Sequence, residues 1–88
     1  MKLKYDFVIQ EVAGSFIAVA IGAGSENFKG MIRLNNTAKH IFESIQQGKN
    51  QQEIVQSMLE NFDVTEQQAQ KATEDFLSQL QKSGLLVE

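Results

Sequence analysis

His40 and Glu43 stand three residues apart, one helical turn if the segment is helical, and form the pair with most claim to chemistry in this chain. Together they could offer a metal two ligands, where a closed zinc site needs four. The sequence contains no cysteine to supply the others and no second histidine, so metal binding is rejected and no cofactor is implied. The same His40 has no Ser, Cys or Asp at a recognisable triad spacing, and the carboxylates are scattered over polar helix faces. Catalysis is therefore not expected. The sequon Asn35-Asn36-Thr37 is a chance match, because Asn35 is needed as a helix cap. Gly22-Ala-Gly-Ser-Glu-Asn27 reads as a loop, lacking the Lys-Ser/Thr ending and helix start that a phosphate loop requires. What remains is Arg33, a cation on a short strand at the centre of the chain, which could meet a carboxylate on a partner.

The elements that would position Arg33 are legible in the periodicity. Phe7–Val12 and Ser15–Ile21 are rich in β-branched and aromatic residues, and Ala13-Gly14 between them suits a two-residue hairpin. Such a turn places Val8, Gln10 and Val12 on one face with Ser15, Ile17 and Val19, and Phe7, Ile9 and Glu11 on the other with Phe16, Ala18 and Ala20. Neither face is fully polar. The second strand is thus expected in the middle of the sheet, with helices on one side and some cover, such as a partner subunit, on the other. A third strand follows, in which Phe28, Gly30, Ile32 and Leu34 alternate with Lys29, Met31 and Arg33. Ile32 and Leu34 point at the core, and at the sheet edge this strand would invite a fourth.

Three helices complete the pattern. In the first, capped by Asn35 or Asn36, Ala38, Ile41, Phe42 and Ile45 form the buried stripe and Gly48 the stop. The second opens with an Asn50/Glu53 capping box and buries Ile54, Val55, Met58, Leu59 and Phe62. The third opens with a Thr65/Gln68 capping box and runs to Ser83, before Gly84. Its stripe of Ala69, Ala72, Thr73, Phe76, Leu77 and Leu80 is short of bulk at the N-terminal end, which leaves room for something beside it. Leu85 to Val87 should fold back onto the core. Strands then helices, without βαβ alternation or repeats, describe one small α+β domain, winged-helix-like, with a three-stranded antiparallel sheet followed by three helices.

An 88-residue chain with 42 % hydrophobic and 22 % charged residues can build one core and no more. The apolar run after Met1 is broken by Asp6, Gln10 and Glu11, so neither a signal peptide nor a spanning helix is expected and the cytoplasm is the default. The net charge of −3 hides a split, from +2 over residues 1–50 to −5 over residues 51–88.

Around Phe28-Lys-Gly-Met-Ile-Arg-Leu-Asn-Asn-Thr-Ala38 the chain resembles the PqqD-like family, the small pyrroloquinoline quinone synthesis D proteins and related peptide-recognition elements of ribosomal-peptide modification. The resemblance spans nearly the whole chain. It rests on the hairpin, Leu34-Asn35-x-Thr37-Ala38, Ile41-Phe42, Gly48, Asn61-Phe62-Asp63 and Phe76-Leu77-x-x-Leu80-x-x-x-Gly84-Leu85-Leu86, in that order. It implies a bacterial, cytoplasmic, non-enzymatic chaperone that captures the leader of a precursor peptide. The leader would be presented to a modifying enzyme, often of the radical S-adenosylmethionine type. In that family the leader adds as a strand beside the third strand and sends side chains into a groove next to the third helix. Carried onto this chain, Met31, Ile32, Arg33 and Leu34 would be the pairing strand, with Ala72, Phe76, Gln79 and Leu80 along the groove. Strand addition is a recognised source of peptide affinity and of side-chain specificity.

Two other readings differ in class. A winged-helix nucleic-acid binder would present its third helix to phosphate, but Glu66, Glu74 and Asp75 outweigh Lys71 and Lys82 there. A dimerisation module would bury the two-sided apolar hairpin in a second copy.

Overall fold

The structure is a computed structural model that describes residues 2–22 and 31–87. Along the chain these form β1 (Lys2–Leu3), β2 (Asp6–Val12), β3 (Ser15–Ile21), β4 (Met31–Leu34), α1 (Asn36–Gln46), α2 (Gln51–Asn61), α3 (Glu66–Lys82) and β5 (Leu86–Val87). The β4 strand is the third strand of the sequence reading. Residues 23–27 of the expected loop and 28–30 of the expected strand lie outside the described residues.

Ala13 and Gly14 both take positive φ, 51° and 80°, the condition for a two-residue type I′ turn whose twist matches the flanking strands. The turn fixes the register, with Val12 opposite Ser15 and Phe7 opposite Ala20. The β4 strand pairs antiparallel with β3, Leu34 opposite Phe16 and Ile32 opposite Ala18, so the order is β2-β3-β4 and β3 is central, as the sequence suggests. Strand alternation then assigns the faces. Phe7, Ile9, Phe16, Ala18, Ala20, Ile32 and Leu34 belong to the core cluster and its margin, while Met31 and Arg33 are exposed on the opposite side.

All three helices begin at the expected caps. The Asn35 side chain accepts from the Ala38 amide at 2.8 Å, and Asn50/Glu53 and Thr65/Gln68 each form both bonds of a capping box. Each box satisfies orphan amide groups of the first turn. Gly48 sits just past α1 at φ 84°, where an L side chain would be strained. Phe42 on α1 is completely buried and stands edge-on to Phe7 of β2 and Phe76 of α3, at 5.2 and 6.4 Å between centroids. A single ring thus joins sheet, α1 and α3.

The small residues of α3 do two different things. Ala69 and Thr73 are sealed in the core, and the Thr73 hydroxyl donates to the Ala69 carbonyl at 2.8 Å while lying 3.4 Å from the Met58 sulfur of α2. The space they release is taken by α2, not left for a guest. Ala72, on the flank, is only half-buried. The chain ends also close on one another: β1 pairs with β5, Lys2 opposite Val87 and Leu3 opposite Leu86. Leu85 is buried against the core, in keeping with the expected fold-back. Among the described residues no helix is long and apolar enough to cross a membrane.

His40 bridges α1 to α2. Its Nε2 lies 2.7 Å from the Ser57 hydroxyl, its ring stands edge-on to Phe62 at 5.3 Å, and its carbonyl accepts from Ser44 at 2.8 Å. Burial, helped by the Lys49 charge, opposed by Glu43 and helped again by Lys39, holds the imidazole below its ordinary value. An unfolded chain therefore takes up this proton more readily than the folded one, and stability contributed by neutral His40 is complete above about pH 6.5 and lost as pH falls below it. The urea midpoint is expected to drop between pH 7.5 and 5.5, and His40→Asn is expected to flatten that dependence.

Candidate functional site

The two edges of the sheet are not equivalent. At β2 the Gln46 side chain donates to the Phe7 carbonyl at 3.0 Å, so part of that edge is occupied by α1. At β4 no described residue pairs with the outer side of the strand. The backbone groups of this strand that point away from β3 thus have no partner among the described residues and are of the kind an added strand can satisfy.

Beside that edge lies a groove of about 280 Å³ between the β4–α1 junction and one flank of α3. Ala38, Ile41, Ala72 and Phe76 make its apolar lining, Asn35, Thr37 and Gln79 its polar rim, and Arg33 and Asp75 also border it. A second depression of about 320 Å³ shares Arg33 and Asn35 with the first and continues past the end of β4 to the hairpin turn at Gly14. Helix geometry explains the lining: Ala72, Asp75, Phe76 and Gln79 recur at three- and four-residue steps and share one flank of α3, adjacent to the core stripe of Ala69, Thr73, Leu77 and Leu80.

Arg33, Ala72, Phe76 and Gln79 therefore meet at one place. Leu80 does not join them: it is 3 % exposed and packs on the core stripe. Leu34 is 2 % exposed, so only its backbone is offered to a partner. Ile32 packs against the core cluster, and Met31, 69 % exposed, lies on the face of the sheet away from the helices. Asn35, Thr37, Ala38, Ile41 and Asp75 line the groove without having been singled out for it. Ala38 and Ile41 lie on the expected core stripe of α1, whose edge borders the groove, and Asp75 is an i+3 neighbour of Ala72 on α3. Asp75 and Lys71 come within 4.0 Å, an exposed pair that leaves the carboxylate free to exchange partners.

A larger depression, about 870 Å³, lies between α2 and the other flank of α3. Its walls carry Glu53, Glu66, Glu74 and several glutamines around Val55 and Leu59. No strand edge lies beside it. Size alone does not make it the better site, because peptide capture draws on main-chain bonds and shaped apolar contacts together.

The described residues thus form a winged-helix-like α+β fold in which β4 has no outer partner among them and a groove runs beside it. The model of the family "Coenzyme PQQ synthesis protein D (PqqD)" matches residues 16–86, and the chain belongs to that family. Two solved structures share the fold. One is "TbiB1 in Complex with the TbiA(beta) Leader Peptide", 21 % identical, with a TM-score of 0.74 over 98 % of this chain and 94 % of that one. The other is "Lasso peptide synthetase B1 complexed with the leader peptide", 15 % identical, with a TM-score of 0.73 over 99 % and 96 %. No curated protein matches the chain in sequence.

Proposed function

We propose that this protein is a non-catalytic carrier, a single peptide-binding unit over residues 1–88 that works in the cytoplasm. It binds the leader segment of a ribosomally made precursor peptide by strand addition at β4 and presents it to a modifying enzyme of the radical S-adenosylmethionine or another type. The observation that carries the reading is the β4 edge, which has no outer partner among the described residues, running beside the Ala72–Phe76 groove. Membership of the PqqD family and the shared fold of two proteins described in complex with leader peptides support it.

In this arrangement Met31, Ile32, Arg33 and Leu34 contribute backbone groups, and alternate leader side chains enter the groove against Ala72, Phe76 and Gln79. A small or medium apolar side chain fits the apolar lining, and Arg33 pairs with a leader carboxylate. The acidic surface of α3 disfavours the nucleic-acid alternative, since Glu66, Glu74 and Asp75 would face phosphate.

Fluorescence anisotropy with labelled N-terminal segments of small peptides encoded near the gene tests the proposal. Arg33→Glu is expected to weaken an acidic leader by roughly 2- to 5-fold, the range of an exposed charge contact. The difference shrinks as salt rises. Arg33 is exposed and outside the core, so the melting temperature stays within about 3 °C of the parent, under 1 kcal/mol.

A further inference from the structure

The depression of about 870 Å³ between α2 and α3 is within the size range of sites that enclose a ligand, and the strand-edge site makes no use of it. Two stripes at helical spacing build it: Val55 and Leu59 on α2, and Glu66, Gln70 and Glu74 on α3. Val55 and Leu59 pack against the core from within yet keep part of their surface open, so the groove has an apolar floor. Glu53, Glu66 and Glu74 border that floor, no lysine or arginine lines it, and none of the three carboxylates is in an ion pair among the described residues. They do not converge on a point. Among the described residues no group of three or more His, Cys, Asp or Glu could hold a metal ion, and Glu66 and Glu74 stand eight residues apart on α3, about 12 Å at the helical rise. A single cation is therefore the wrong shape of ligand. Charge and shape together are complementary to an extended segment that carries cations on either side of an apolar stripe.

We propose that the α2–α3 groove docks a basic amphipathic helix of a partner protein. Its apolar stripe lies over Val55 and Leu59, and its lysine or arginine side chains meet Glu66 and Glu74, the helix-in-groove mode of recognition. The groove uses the flank of α3 away from Ala72 and Phe76, so it is a second site that owes nothing to the leader reading of β4. One chain can hold a peptide strand and a basic helix at once.

Amide NMR during titration with a synthetic Leu/Lys amphipathic helix, against a scrambled peptide of the same composition, tests this. The patterned helix is expected to bind at least about tenfold more tightly than the scrambled one at low salt, with saturable shifts on residues 52–59 and 66–74 and none on residues 31–34. Glu66 and Glu74 are both exposed, and Glu66→Lys/Glu74→Lys reverses two charge contacts, so it is expected to weaken the helix by roughly tenfold and leave the melting temperature within about 3 °C of the parent. If that double variant has no cooperative melt, Glu74→Gln takes its place, with an expected loss of about threefold. Equal binding of patterned and scrambled peptides would overturn the proposal, since it would leave only unspecific attraction to an acidic surface. Shifts centred on another face, or unchanged affinity in the folded variant, would overturn it as well.

Discussion

Ala72→Trp is expected to reduce leader affinity by at least about 30-fold, the equivalent of a 2 kcal/mol hot spot. Ala72 is half-buried on the flank of α3 and lines the groove between Arg33 and Phe76. An indole there occupies the space into which a leader side chain would insert, while the β4 edge remains intact. Since the new ring has the groove to enter, the melting temperature should move by less than about 6 °C, or about 1 kcal/mol. The same replacement at Ala69, completely buried one turn earlier, forces the ring into a filled core and should unfold the domain. Leader binding by anisotropy and melting by circular dichroism, measured on both variants, separate a blocked groove from a broken fold.

Phe42→Ala is expected to remove a large share of the domain's stability. The ring is fully buried and packs against Phe7 and Phe76, so its removal leaves a cavity at the one point where sheet, α1 and α3 meet. Such truncations cost about 3–5 kcal/mol. For a domain of this size each 1 kcal/mol shifts the midpoint by about 4–8 °C, so the melting temperature should fall by about 12 °C or more. A domain of 88 residues has only about 4–13 kcal/mol in all, and a variant without a cooperative transition at 37 °C is within expectation. A fall of only a few degrees would mean that the Phe7–Phe42–Phe76 contact does not hold the layers together.

Where local chemistry decides structure, the residues announce it. Asn50/Glu53 and Thr65/Gln68 cap α2 and α3 as their spacing implies, because a capping box is a short-range hydrogen-bond pattern. Ala13-Gly14 sets the hairpin register for the same reason. The β1–β5 ribbon was not legible: two-residue strands have no periodicity, and their pairing joins opposite ends of the chain. The His40–Ser57 bond joins residues 17 apart, and nothing in either local segment specifies it. The groove was partly legible. Helical spacing places Ala72, Phe76 and Gln79 near one another, but the way α3 packs against α1 and α2 decides that Leu80 faces the core and Asp75 the groove. Thr73 shows the same limit, since a small residue reads equally as an opening and as a place where α2 packs closely.

The central claim is that β4 receives a peptide strand, and amide NMR during titration with the precursor leader tests it most directly. The predicted result is saturable shifts concentrated on residues 31–34 and on Ala72, Asp75, Phe76 and Gln79, with slowed amide exchange along β4. Shifts confined to the α2–α3 depression, or appearing only when DNA replaces the leader, would contradict it.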